Sequence, residues 1–179
     1  SEQSISRLRG ECGELIIIDD EILGRYGIPG YVTPDRAASM IASRFLFKGR
    51  PCTIFDFGTT LSVDFLDESG VFEGGNISLG CRTRFKALNR YSKSLPLLSA
   101  PESYPGSGKT VAESVESGVI SGIMFEIEGY ISRHPGNINV FTGGDAIYFA
   151  KRMKNSIFVV CNLVLMGLAI MAVEYDKKD

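Results

Sequence analysis

The sequence predicts an α/β protein built on a mixed sheet with helices on both faces. Three observations carry that reading. Residues 52–66 run strand, tight turn, strand; from Cys81 onward helical periodicity alternates with short apolar, β-favouring runs; and 44% hydrophobic content over 179 residues is enough to bury the core of one large or two small domains. A meander followed by alternating helices and strands is the pattern of a sheet that must be covered on each side.

The elements follow in order. Ser1 to Gly13 is polar and gives no clear element, whereas Glu14 to Ile18 carries four consecutive apolar residues and predicts a buried strand leading into Asp19-Asp20. Gly24, Gly27, Pro29, Gly30 and Pro34 make the next stretch turn-rich. A helix then starts at Pro34, a residue suited to the first turn, with Asp35 at the positive end of the helix dipole. Ala37, Met40, Ile41, Phe45 and Leu46 give it an apolar face, and Gly49 closes it. Strands are predicted at Thr53 to Phe57, Leu61 to Leu66 and Val71 to Glu73, with Gly74 to Gly80 as a glycine-rich bend. Residues 81–93 then read as a helix with Cys81, Phe85, Leu88 and Tyr91 inward, and Pro96 to Gly108 as a loop. A long helix runs from Val111 to Arg133. It is followed by a strand at Asn139 to Phe141, a Thr142-Gly-Gly-Asp145 turn, a helix at Ala146 to Met153, a strand at Ile157 to Val160 and a helix at Leu163 to Tyr175.

A formal charge of −2 provides no whole-chain attraction to nucleic acid or acidic membrane, so neither is expected as a partner. The run Ile157 to Val173 is interrupted by Asn162 and Gly167 and splits into strand and helix rather than a membrane span. No signal peptide is read at the start. Cys12, Cys52, Cys81 and Cys161 have no metal-like spacing and suggest reduced thiols in a cytoplasmic protein. His134 precedes Pro135 at a helix end, which suggests a capping position, and the Arg82 to Lys93 stripe suggests a solvated helix face.

The stretch with most chemistry is Asp56-Phe-Gly-Thr-Thr60. Gly58 allows close backbone approach, Thr59 and Thr60 offer amide and hydroxyl donors to phosphate oxygens, and Asp56 supplies the carboxylate oxygen that a hard cation prefers. Alone, the pattern also fits a self-satisfied hairpin.

Its company is informative. Tyr26-Gly-Ile-Pro29, Thr33-Pro-Asp-Arg36, Asp56-Phe-Gly-Thr-Thr60, Gly74-Gly-Asn-Ile-Ser-Leu-Gly80, Lys109-Thr110 and Thr142-Gly-Gly-Asp-Ala146 occur in the order and with the gaps of type III pantothenate kinase, the Bvg accessory factor family. The chain resembles that family from about Leu15 to Tyr175. The resemblance implies an actin/hexokinase-like (ribonuclease H-like) fold in which two similar domains clasp ATP. Residues 1–50 would be a remnant of the first domain, and 51–179 a complete second domain.

The same resemblance implies an activity, the phosphorylation of pantothenate to 4′-phosphopantothenate at the start of coenzyme A biosynthesis. It further implies ATP, Mg2+ and a monovalent cation (K+ or NH4+), and a homodimer. Asp35 corresponds to the catalytic base. Tyr26, Thr33, Pro34, Asp35, Arg36 and Thr110 correspond to the substrate-binding set, with Arg36 as a fork for the substrate carboxylate. Gly58, Thr59, Thr60, Gly143 and Gly144 correspond to the nucleotide-binding set, and Asp56 to the cation ligand.

Departures are Thr33 in place of a family Gly, Leu79 in place of Pro, and a gap one residue long after Thr110. The family's opening Asp-x-Gly-Asn-Thr loop does not occur in residues 1–50, so the chain as given is expected to bind ATP poorly and to turn over little. Two other readings are a non-catalytic Baf-type transcriptional regulator with the same fold, and a P-loop hydrolase using Lys109 of Gly106-Ser-Gly-Lys-Thr110. Ser103 and the prolines Pro101 and Pro105 count against the second.

Overall fold

The computed structural model describes residues 2–12 and 15–176. Five strands form one mixed sheet in the order β3-β2-β1-β4-β5. β1 (Cys52–Phe57), β2 (Thr60–Leu66) and β3 (Phe72–Leu79) are an antiparallel meander, while β4 (Ile138–Gly143) and β5 (Phe158–Val159) add in parallel on the other side of β1. The predicted order from Cys52 onward is the order observed.

Alternation along the strands sorts the core into two layers. Phe55, Phe57, Leu61 and Val63 point to one face and pack against Phe85 of α4 (Cys81–Tyr91), Ile120 and Ile123 of α5 (Val111–Arg133), and Phe149 of α6 (Ala146–Ala150). Ile54, Leu66 and Val140 point to the other face, where Ala38 and Met40 of α3 (Pro34–Leu46) and Leu163 and Met171 of α7 (Leu163–Asp176) cover them. Helix α3, which precedes the sheet in sequence, is therefore part of its core. Among the described residues no helix is long and apolar enough to cross a membrane.

Several elements differ from the sequence expectation. Residues 2–11 form α1 (Glu2–Glu11), supported locally by an Arg7 to Glu11 ion pair at i,i+4; without an apolar stripe it left no periodic signal. Glu14 of the expected strand at 14–18 lies outside the described residues, and residues 15–18 join no ladder. Ile18 instead lies against the α3/α7 core layer. A short α2 (Asp20–Arg25) replaces part of the turn-rich stretch because the Asp19 carboxylate caps it, accepting from the Ile22 amide at 3.0 Å. The expected glycine-rich bend at 74–80 is mostly strand, for a reason given below. Phe45, Leu46, Leu88 and Tyr91, expected inward, are exposed, because α3 turns its small residues to the core and the last turns of α4 line a groove.

The contact between α3 and α7 is tight at Gly167. A Cβ on Gly167 would stand 1.9 Å from the Ala38 carbonyl oxygen, so the helices meet at backbone distance only because Gly167 has no side chain. Gly167→Ala should therefore destabilise the protein by about 1–3 kcal/mol, as overpacking does. Gly118→Ala, on α5 with open space around it, should be neutral or stabilising by up to ~1 kcal/mol. Thermal unfolding of the two variants gives the comparison, and equal melting temperatures would refute the packing argument.

Candidate functional site

The site forms at the C-terminal ends of the parallel strands, where an α/β sheet usually offers a crevice. Here β1 ends in Asp56-Phe-Gly-Thr and β4 in Thr142-Gly-Gly, and the two turns are neighbours because Asp56 pairs with Thr142 and Phe57 with Gly143. The contact is close. Gly143 has φ +88°, and a Cβ there would lie 2.6 Å from Asp56 Oδ1 and 2.5 Å from the Phe57 carbonyl oxygen; only glycine fits both demands. The Gly144 amide donates to the same carbonyl at 2.9 Å.

The first turn is braced from the third side by α4. The Thr59 carbonyl accepts from the Gly80 amide at 3.0 Å and the Thr83 hydroxyl at 2.6 Å, while the Gly58 amide donates to the Thr60 carbonyl at 2.9 Å. Gly58, Thr59 and Thr60 themselves are exposed. The Thr59 and Thr60 side chains and their free donors thus face outward on a fixed backbone.

Asp35 arrives from α3. Pro34 is at the first helical position, Thr33 precedes it as an exposed N-cap with no side-chain hydrogen bond, and Asp35 Oδ1 accepts from the Arg36 amide at 2.9 Å. The Asp35 carboxylate is exposed, yet close enough that its charge helps push the Asp56 carboxyl up from its ordinary 3.8. Burial is the larger cause of that shift, and the charge of Asp64 adds to it. Asp35 and Asp56 therefore share one electrostatic environment.

Arg36, the next residue, is buried and engaged. Its Nε donates to Asp64 Oδ2 at 3.1 Å and its Nη2 to Asp64 Oδ1 at 2.5 Å. Asp64, 2% exposed, raises the Arg36 pKa further, while burial pushes its own carboxyl upward against the opposing pull of the guanidinium. The fork that the sequence suggested for a substrate carboxylate is thus already occupied by the protein. Asp64 was not singled out in the sequence, although a signal existed. It is the lone carboxylate in the apolar strand Leu61-Ser-Val-Asp-Phe-Leu66, on the face that Asp56 shares once Asp56 pairs with Ser62.

Tyr26 is half-buried at the end of α2. Its hydroxyl donates to Glu174 Oε2 of α7 at 2.7 Å, and its carbonyl accepts from Arg44 Nη1 at 2.7 Å. Burial first, then the Glu174 contact, pushes the phenol up to about 12. Thr110 lies elsewhere. It caps α5 in a capping box with Glu113 and lines an apolar groove of ≈ 1030 Å³ with Leu79, Leu88, Tyr91 and Lys109. Asp35 and Asp56 are not part of that groove's lining.

The same capping box removes the P-loop reading. The amides of Lys109 and Thr110, which would have to cradle phosphate, donate instead to Glu113 Oε2 at 2.8 and 3.2 Å, and the preceding residues 96–110 form no strand. His134 ends α5 as its C-cap and stacks on Phe65 with ring centroids 4.2 Å apart. In the basic stripe of α4, Arg84 is paired with Glu126. Among the described residues no group of three or more His, Cys, Asp or Glu is arranged to hold a metal ion.

A strand-turn with Asp and Gly-Thr beside a strand-turn with Thr-Gly-Gly, on a mixed sheet covered by helices, defines the actin, hexokinase and Hsp70 fold class. Solved structures agree on the fold. The chain superposes on a conserved protein assigned to the Baf family of transcriptional activators from Campylobacter jejuni with a TM-score of 0.63 at 22% identity, covering 82% of this chain and 66% of that one. It also superposes on the activator of the 2-hydroxyisocaproyl-CoA dehydratase from Clostridium difficile, solved with bound ADPNP, with a TM-score of 0.51 at 15% identity, covering 80% and 67%.

The chain belongs to the type III pantothenate kinase family, whose model matches residues 19–133. Curated type III pantothenate kinases are similar over most of it: that of Cytophaga hutchinsonii is 44% identical over 80% of this chain and 63% of its own length, and that of Flavobacterium psychrophilum 42% identical over 75% and 57%. The enzyme of Phocaeicola vulgatus is 39% identical over 80% and 61%. The chain thus spans about three-fifths of the length of the curated relatives it matches.

The raised Asp56 carboxyl has a consequence for stability. Below the ordinary 3.8 of the unfolded chain both states are protonated and the residue contributes nothing; between 3.8 and the raised folded value only the unfolded chain ionises, so stability falls as pH rises through that window and the deficit persists at neutral pH. Asp56→Asn should consequently raise the melting temperature at neutral pH and lose that advantage well below the unfolded value. A melting temperature unchanged or lowered at neutral pH would show that the carboxylate is compensated in the folded state.

Proposed function

We propose that the chain is the catalytic portion of an ATP-dependent kinase that phosphorylates pantothenate to 4′-phosphopantothenate, the first step of coenzyme A biosynthesis. The observation that carries this reading is the approach of Asp35, at the N-terminus of α3, to Asp56, at the end of β1, beside two glycine-containing turns. Residues 51–179 act as the second domain of the actin-like pair, and residues 1–50 as the remnant of the first.

The roles follow from the chemistry of the transfer. Phosphoryl transfer to a primary alcohol needs a proton acceptor near the hydroxyl and in-line placement of the phosphate more than covalent help. The exposed carboxylate of Asp35, held on a rigid helix, takes the hydroxyl proton. Gly58, Thr59 and Thr60 hold phosphate oxygens from one side, and Gly143 and Gly144 lie along the nucleotide. Tyr26, Thr33 and Pro34 shape the pantothenate pocket, with Arg36 facing its carboxylate.

A cation at Asp56 fits the residues present, because a positive charge there would stabilise the ionised form of a carboxylate that burial, and then the charges of Asp35 and Asp64, disfavour. Mg2+ and a monovalent cation, K+ or NH4+, would supply charge neutralisation of the phosphates. The setting is the cytoplasm.

The working form is a homodimer joined through the groove between α4 and α5. Tyr91 at its rim is 84% exposed and Val111 57%, which supports a covered face there, and Thr110 lines the same groove. Tyr91→Asp should shift the sedimentation of the protein to that of a monomer; an unchanged coefficient would place the interface elsewhere.

The activity is tested by pantothenate-dependent ADP release in the presence of Mg2+ with K+ or NH4+. Two proteins are compared, the chain as it stands and the chain preceded by a segment bearing an Asp-x-Gly-Asn-Thr loop. No pantothenate-dependent release from either would sink the proposal. In the active form Asp35→Asn should lower kcat by roughly 10²–10⁴-fold with an unchanged melting profile, and near-normal kcat would exclude Asp35 as the base.

A further inference from the structure

An arginine used to bind a ligand carboxylate ordinarily offers two parallel N–H donors. Arg36 cannot offer its side-on pair. Its Nε and Nη2 are both taken by Asp64, at 3.1 and 2.5 Å, in a pair whose side chains are 9% and 3% exposed. Among the described residues the end-on edge, Nη1 with the second N–H of Nη2, has no hydrogen-bond partner.

The surroundings are built around this pair. Asp64 stands opposite Gly75 in the β2–β3 ladder, and a Cβ on Gly75 would lie 2.2 Å from Asp64 Oδ1 and 2.8 Å from Arg36 Nη2. A side chain at that position would expel the pair. This is the physical reason that a glycine-rich sequence is drawn into a strand rather than a bend: β3 must pass over a buried guanidinium and carboxylate, and glycine leaves room for them.

We propose that Asp64 is a positioning residue that clamps Arg36 in place before any ligand arrives, so that Arg36 presents only its end-on Nη1/Nη2 edge to an anionic group of the substrate. This rests on the proposed role of Arg36 at the substrate carboxylate. The clamp fixes the guanidinium plane, limits Arg36 to one of the two donor edges, and keeps the Arg36 charge from collapsing onto Asp35 or Asp56. Recognition of the substrate carboxylate is then end-on through that edge, and Asp64, which touches no substrate, sets its direction.

Two measurements test this, and one does not depend on activity. In the ligand-free chain the Nε–H of Arg36, assigned by its loss in Arg36→Lys, should give a slowly exchanging nitrogen–proton NMR signal. Asp64→Asn should abolish that slow exchange while the amide spectrum remains dispersed; unchanged protection in Asp64→Asn overturns the clamp whatever the protein's activity. In the active form, Asp64→Asn should raise KM for pantothenate roughly 10- to 100-fold, the loss of one hydrogen bond to a charged group, with KM for ATP unchanged. A loss spread equally over both substrates, or an unchanged pantothenate KM, would make Asp64 merely structural. Should Asp64→Asn not fold, Asp64→Glu, which keeps the charge and displaces it by one methylene, is read in the same way. No turnover by the unsubstituted protein would sink the kinase reading, and the Nε–H measurement would still decide the clamp.

Discussion

The ion pair of Arg36 and Asp64 is the point at which helix and sheet are tied together on the side that faces the site. Removing one member of such a buried pair strands the other and typically costs 3–5 kcal/mol, which is more than most single contacts. The pair acts at the N-terminus of α3, while Gly167 lets α7 lie against the middle of the same helix at Ala38. Fixed at both points, α3 carries Asp35 on its first turn with no freedom to swing. The position of that carboxylate is therefore a consequence of the ion pair made by the next residue, Arg36, and of a glycine on another helix.

Close backbone approach is the second constraint, and it follows from the first. A sheet that buries Arg36 and Asp64 on one face needs a strand without side-chain bulk across from them, which Gly75 provides. A sheet that brings the ends of β1 and β4 together needs Gly143 in a left-handed conformation against Phe57 and Asp56. Both glycines sit where a larger residue would move an acidic side chain, so the Gly-Gly sequences report the positions of carboxylates rather than flexibility.

Much of this was legible from sequence because it depends on local pattern. The α3 start at Pro34-Asp35, the β1 and β2 alternation, the long α5 with its Thr110 cap and the order of elements after Cys52 all have short-range signals. What could not be read depends on partners far apart in the chain. Arg36 looks free in sequence because Asp64 is 28 residues away. Gly74 to Gly80 reads as a bend because the reason for glycine, the pair beneath it, lies on other elements. Tyr26 is separated by 148 residues from the Glu174 that orients its hydroxyl. The apolar residues at 15–18 read as a strand because periodicity cannot tell a covering segment from a paired one.

The electrostatic balance of the site follows from how the charges are spent. The cation beside the carboxylates of the site, Arg36, is paired with Asp64. Burial, and then the charges of Asp35 and Asp64, hold the Asp56 carboxyl above its ordinary range. A phosphate brought to the Gly58-Thr59-Thr60 turn would add negative charge to that environment, and donors on the turn alone would not offset the repulsion. Under the role proposed for Asp56, a bound cation would offset both charges, and a strand end that carries a carboxylate two residues before a glycine-threonine turn has the donor set for it.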